Sequence, residues 1–75
     1  MVTLFRAAGW KIAMYGGDHG VPHFHVEGRG FQCSLSIETQ ELIIGTVPTA
    51  VLKAAQAWAR EHRMELVTRW RELNE

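Results

Sequence analysis

Residues 22–37 read PHFHVEGRGFQCSLSI, and the fold follows from how that stretch alternates. Phe24 and Val26 interleave with His23, His25 and Glu27, and then Phe31, Cys33, Leu35 and Ile37 interleave with Gln32, Ser34 and Ser36. A period of two belongs to strands that bury one face and leave the other to water. Gly28, Arg29 and Gly30 separate the two runs, a loop short enough to fold them into an antiparallel hairpin. The apolar positions of both strands then share one side, and the polar positions, two histidines among them, share the other.

Working outward, residues 9–15 (GWKIAMY) set Trp10, Ile12 and Met14 on one face of another strand. Residues 3–7 suit a further edge strand. Downstream, residues 38–40 (ETQ) make a turn into a short strand at residues 42–44. All seven glycines lie at or before Gly45 and both prolines at or before Pro48, so the chain changes character there. From Thr49 onward nothing breaks a helix. On a wheel of about 100° per residue, Val51, Leu52, Ala55, Trp58, Ala59, His62, Leu66, Trp70 and Leu73 fall within roughly 120°, a core-facing stripe.

The expected fold is therefore α+β: one domain spanning residues 1–75, with a β-rich half over 1–47 and a helical half over 48–75. About four antiparallel strands are packed on one face by a long C-terminal helix or two nearly collinear ones. A continuous helix over residues 49–74 would measure about 39 Å, whereas a six-residue strand covers about 20 Å. Trp70 and Leu73 would overhang, so the last turn needs a bend back onto the sheet or a second chain. By the same wheel, His62, Trp58 and Trp70 are core residues, and Cys33 belongs to the strand's apolar side.

Eight basic and eight acidic residues cancel, so no overall field draws the chain to nucleic acid or membrane. One local feature departs from this. Lys53, Arg60, Arg63 and Arg71 fall between about 120° and 200° on the wheel, a basic stripe that suits a solvated face or the docking of nucleic acid or an acidic partner. The single cysteine excludes an internal disulfide, and no run of apolar residues reaches signal-peptide or membrane-span length. A cytoplasmic protein is expected.

The segment DHGVPHFHV, residues 18–26, carries the chemistry. Histidines at i and i+2 of a strand point the same way, about 6.5–7 Å apart at the backbone. His23 and His25 could thus share one metal ion, with His19 folding over as a third ligand and Asp18 or Glu27 adding oxygen. Imidazole with carboxylate suits zinc, nickel, manganese or iron. The same pair suits general acid–base chemistry, such as phosphodiester cleavage, with Tyr15 and Arg29 near enough in sequence to assist. A third reading gives the segment a structural role only: Asp18, Gly20 and Pro22 shape a loop, and the histidines face solvent.

Phe5, Gly9, Ile12 and Met14 ahead of DHxxPHFHV, then IETxExxxGxxP, then a helix bearing Trp58, His62, Leu66 and Trp70, resemble the small bacterial proteins of domain-of-unknown-function family 4160. The likeness runs from about Thr3 to Trp70. The chain departs from the pattern before the histidines, where members usually carry two prolines and this chain has Val21-Pro22. The resemblance implies a bacterial protein whose gene is paired with another small gene, an arrangement similar to toxin–antitoxin modules. It thereby implies a protein partner, another small protein or a second copy, without supplying a reaction.

Overall fold

The computed structural model describes residues 1–17 and 19–75. Among these the chain forms five strands and two helices: β1 (Val2–Ala7), β2 (Trp10–Met14), β3 (His23–Gly28), β4 (Phe31–Ser36), β5 (Leu42–Thr46), α1 (Thr49–Glu61) and α2 (Arg63–Asn74). The strands make one antiparallel sheet in sequence order, β1-β2-β3-β4-β5. The α+β expectation holds, with five strands where about four were expected. The further edge strand expected at residues 3–7 is β1, in which Val2, Thr3, Phe5, Arg6 and Ala7 pair with β2 around an irregularity between Thr3 and Phe5.

The quoted stretch folds as its alternation requires. Phe24 lies opposite Leu35 and Val26 opposite Cys33, all buried, while His25 lies opposite Ser34 and Glu27 opposite Gln32 on the other side. Gly28 faces Phe31, and a Cβ there would overlap both the Phe31 ring and the Gly9 carbonyl oxygen, a backbone atom that cannot yield as a side chain can. Ile12, Met14, Phe24, Val26, Leu35 and Ile37 form the sheet's contribution to the core, and Ala55, Ala59, Leu66 and Trp70 supply the helical side. At one end the core continues through Phe5, whose ring lies 5.7 Å from Trp10 and 5.5 Å from Trp58.

The helical half breaks at His62, which has φ −117° and ψ 26° between α1 and α2. The longest dimension of the molecule is 31 Å, shorter than the roughly 39 Å of an unbroken helix, so α2 must turn away from the line of α1. His62 closes α1 at this corner. Its backbone N–H and its ring Nδ1 both donate to the Trp58 carbonyl, at 3.0 and 2.8 Å, and its ring stacks on Trp58 at 4.2 Å. It is half-buried and satisfied. The overhang is thus resolved within one chain: Leu66 is fully buried, Trp70 is 8% exposed, and the Asn74 side chain donates to the Tyr15 carbonyl beyond the end of β2.

Cys33 is buried, as its alternation with Phe31 and Leu35 requires. Burial pushes its thiol pKa up, and a hydrogen bond with the Val26 backbone opposes this only in part. A thiol held neutral in the core is a packing group and a poor nucleophile.

Candidate functional site

The uncovered face of the sheet carries the candidate site, because β3 presents His23, His25 and Glu27 there in succession. Cross-strand pairing then chooses their neighbours. Ala13 of β2 and Ser34 of β4 flank His25, and Lys11 and Gln32 flank Glu27. Tyr15 follows β2 on the same alternation as Lys11 and Ala13, so its side chain also lies on this side.

The rings form a continuous line. His23 lies 5.1 Å from Trp70 and 5.2 Å from His25, and Tyr15 meets His25 edge-on at 4.7 Å. These are ordinary separations for packed rings. Beyond His25 the Tyr15 hydroxyl donates to Glu27 Oε2 at 2.6 Å, a charge-assisted hydrogen bond. Lys11 Nζ stands 3.9 Å from the other Glu27 oxygen. Both partners of that ion pair are largely covered, which screens it less than a surface pair.

The two histidines are held differently. The His23 Nδ1–H donates to the Val21 carbonyl at 2.8 Å. A carbonyl only accepts, so the proton of the neutral ring resides on Nδ1 and the lone pair on Nε2. His25 Nδ1 lies 3.4 Å from Ser34 Oγ, a long contact.

Two adjoining depressions border this line. One of about 470 Å³ is lined by Tyr15, His25, Glu27, Gln32, Ser34 and Ile44, among others. The other, about 250 Å³, brings His19 and His23 together with Val21, Ser34, Ile43 and Ile44. The structure therefore sets all three histidines of the segment along one face, with His19 exposed on its loop. Asp18 lies outside the described residues. Among the described residues no group of three or more His, Cys, Asp or Glu side chains is already gathered for a metal ion.

The other sequence-derived candidates fall elsewhere. Lys53 and Arg60 are exposed on α1, and Arg63 and Arg71 are exposed on α2, so the bend at His62 divides the basic residues between two helices. Arg63 lines a separate groove with Pro22, Ile37, Glu38 and Val67. Arg29 occupies the β3–β4 turn, at the opposite end of β3 from His23. Ser34 and Trp70 belong to the site although sequence reading gave them no part in it. Ser34 was legible in principle, since the hairpin register sets it opposite His25. Trp70 was not, because only the turn of α2 brings it to His23.

Residues 9–71 match the model of a family described as Domain of unknown function (DUF4160), and the chain belongs to that family. No curated protein and no solved structure shows significant similarity to it.

Proposed function

We propose that this DUF4160 protein is a small binding module that holds one divalent transition metal ion on its histidine face and acts with a protein partner. The observation that carries the reading is the anchoring of His23. A metal-ligating histidine characteristically donates its second ring N–H to a carbonyl or carboxylate, which fixes the tautomer and aims the lone pair. The bond from His23 Nδ1 to the Val21 carbonyl is that arrangement. His25 is the adjacent ring on the same face, and His19 shares a depression with His23, so rotation of the loop would bring a third imidazole to the pair. Zinc, nickel, manganese and iron all accept such a set. A site of two or three protein ligands keeps positions open for water or for a group from the partner. A bacterial cytoplasmic setting, with a partner similar to those of toxin–antitoxin pairs, completes the proposal, and the lone buried cysteine suits a reducing compartment.

Thermal melts of tag-free protein test it. A metal that binds only the folded chain, at a hundredfold excess over its Kd, adds about 2.7 kcal/mol of stability. In a domain of this size that is a rise in Tm on the order of 10 °C. His23→Ala should abolish the rise, and it should lower the metal-free stability by about 0.5–1.5 kcal/mol or more through loss of the Val21 hydrogen bond. Absence of a shift with zinc, nickel, manganese and iron alike contradicts the proposal.

A second reading has its own observation. The larger depression places His25 beside the Tyr15–Glu27 pair, which suits metal-free acid–base cleavage of a phosphodiester. It predicts RNA cleavage with a bell-shaped pH profile, insensitive to chelator and lost in His25→Ala. Cleavage that chelator stops returns the activity to the metal reading.

A further inference from the structure

We infer that the last turn of α2 is the positioning element of the histidine segment, and that occupancy of the segment and docking of that turn are coupled. The inference rests on the metal reading for its ligand, whereas the positioning belongs to the metal-free chain. Residues 15–22 link β2 to β3, and the ladder between those strands ends at the Ala13–His25 pair. Just beyond that pair, α2 meets both ends of the link. At the first end, the Asn74 side chain donates to the Tyr15 carbonyl at 3.5 Å. The Leu73 carbonyl oxygen lies so near Gly16 that a Cβ there would stand 3.4 Å from it. At the second end, the Trp70 ring lies 5.1 Å from that of His23. Trp70, Leu73 and Asn74 are i, i+3 and i+4, one face of one helical turn. A single turn thus touches the segment where it leaves β2 and where it enters β3.

That contact reaches both rings of β3. Tyr15, whose carbonyl Asn74 holds, sets its ring edge-on to His25 and its hydroxyl on Glu27. Trp70 packs on His23 directly. Each histidine is therefore backed by a residue that the turn contacts or contributes. The turn is itself tied together, because the same Asn74 amide donates to the Trp70 carbonyl at 3.2 Å. Its hold is uneven. Trp70 is buried, whereas Leu73 and Asn74 are half-buried, and 3.5 Å is long for an amide on a carbonyl. Weakly covered ends are where a fold opens at least cost. A metal that fixes His19 relative to His23 restrains the segment, and the restrained segment holds the turn. Such coupling is reciprocal, so whatever loosens the turn must weaken metal binding by the same factor.

Asn74→Ala tests this, with Phe5→Leu as a control that lowers stability at Trp10 and Trp58 without touching the segment. In metal-free protein, Asn74→Ala should shift the ring resonances of Tyr15 and His23 together, and Phe5→Leu should leave them in place. In a zinc titration of tag-free protein, Asn74→Ala should raise the Kd about two- to tenfold, the effect of one modest hydrogen bond. Phe5→Leu should not raise it. Zinc should in turn slow amide exchange at residues 72–75 of the wild type. Unmoved rings in metal-free Asn74→Ala overturn the inference, as does a zinc Kd equal to wild type or one raised as much by Phe5→Leu. A wild type that takes up no zinc ends the metal reading instead, and the metal-free rings then decide the inference alone. Should Asn74→Ala fail to fold, Asn74→Asp replaces it, since that side chain keeps its size and donates to neither carbonyl.

Discussion

Gly45 occupies φ +99° in β5, and a Cβ there would overlap the Gln32 carbonyl and the Cys33 Cα. Both neighbours are backbone of the adjacent strand, so neither can yield cheaply. Gly45→Ala should therefore cost about 1–3 kcal/mol or more in chemical denaturation, and a melt equal to wild type would show that β5 sits elsewhere. Tyr15 allows a gentler test. Tyr15→Phe keeps the ring against His25 and removes the charge-assisted bond to Glu27, which predicts a loss of about 1.5–3 kcal/mol. Cys33 predicts a pH dependence. Its folded thiol is raised above the unfolded value of about 8.5, so its contribution is fully present below that pH and is lost as pH rises through the folded value. Stability should thus decline on the alkaline side, and a Cys33→Ala background should lack that part of the decline. At this scale the sequence was informative wherever a local pattern decided the outcome, as for the burial of Cys33 and the shared face of His23 and His25. The long-range contact of His23 with Trp70 has no local pattern to carry it.

Among the elements, the strands were the most legible, because alternation and the glycine-bounded hairpin specify both face and register. The break at His62 was not. The apolar phase from Val51 to Leu73 is uninterrupted, and no glycine or proline marks the corner. The break arises from tertiary demand: a straight helix would carry Leu66 and Trp70 past a sheet too short to cover them, and burying a large side chain is worth about 1.5–3 kcal/mol. The His62 ring then satisfies the Trp58 carbonyl at the exposed corner. Since Trp70 is packed within its own chain, Trp70→Ala should cost about 3–5 kcal/mol at unchanged mass. It should also shift the ring resonances of His23, which a purely remote packing role would leave in place. Dissociation preceding any loss of fold would instead place Trp70 in an interface.

For the molecule as a whole, the two helices cover one side of the sheet and leave the other side to the histidines. The turn of α2 seats Trp70 against His23 at the end of that open side, so core and site share a residue. Among the described residues no helix is long and apolar enough to cross a membrane, and the net charge is zero. The open side carries the line of rings from Trp70 through His23 and His25 to Tyr15, and the His23 Nδ1–H donates to the Val21 carbonyl, the arrangement on which the proposed metal site rests. The most direct measurement is the metal content of protein prepared without a histidine tag, loaded with zinc or nickel and dialysed. The account predicts about one ion per chain, as a single site requires, falling to background in His23→Ala while the circular dichroism spectrum is unchanged. Background metal in the wild type, or an equal content in His23→Ala, would contradict it.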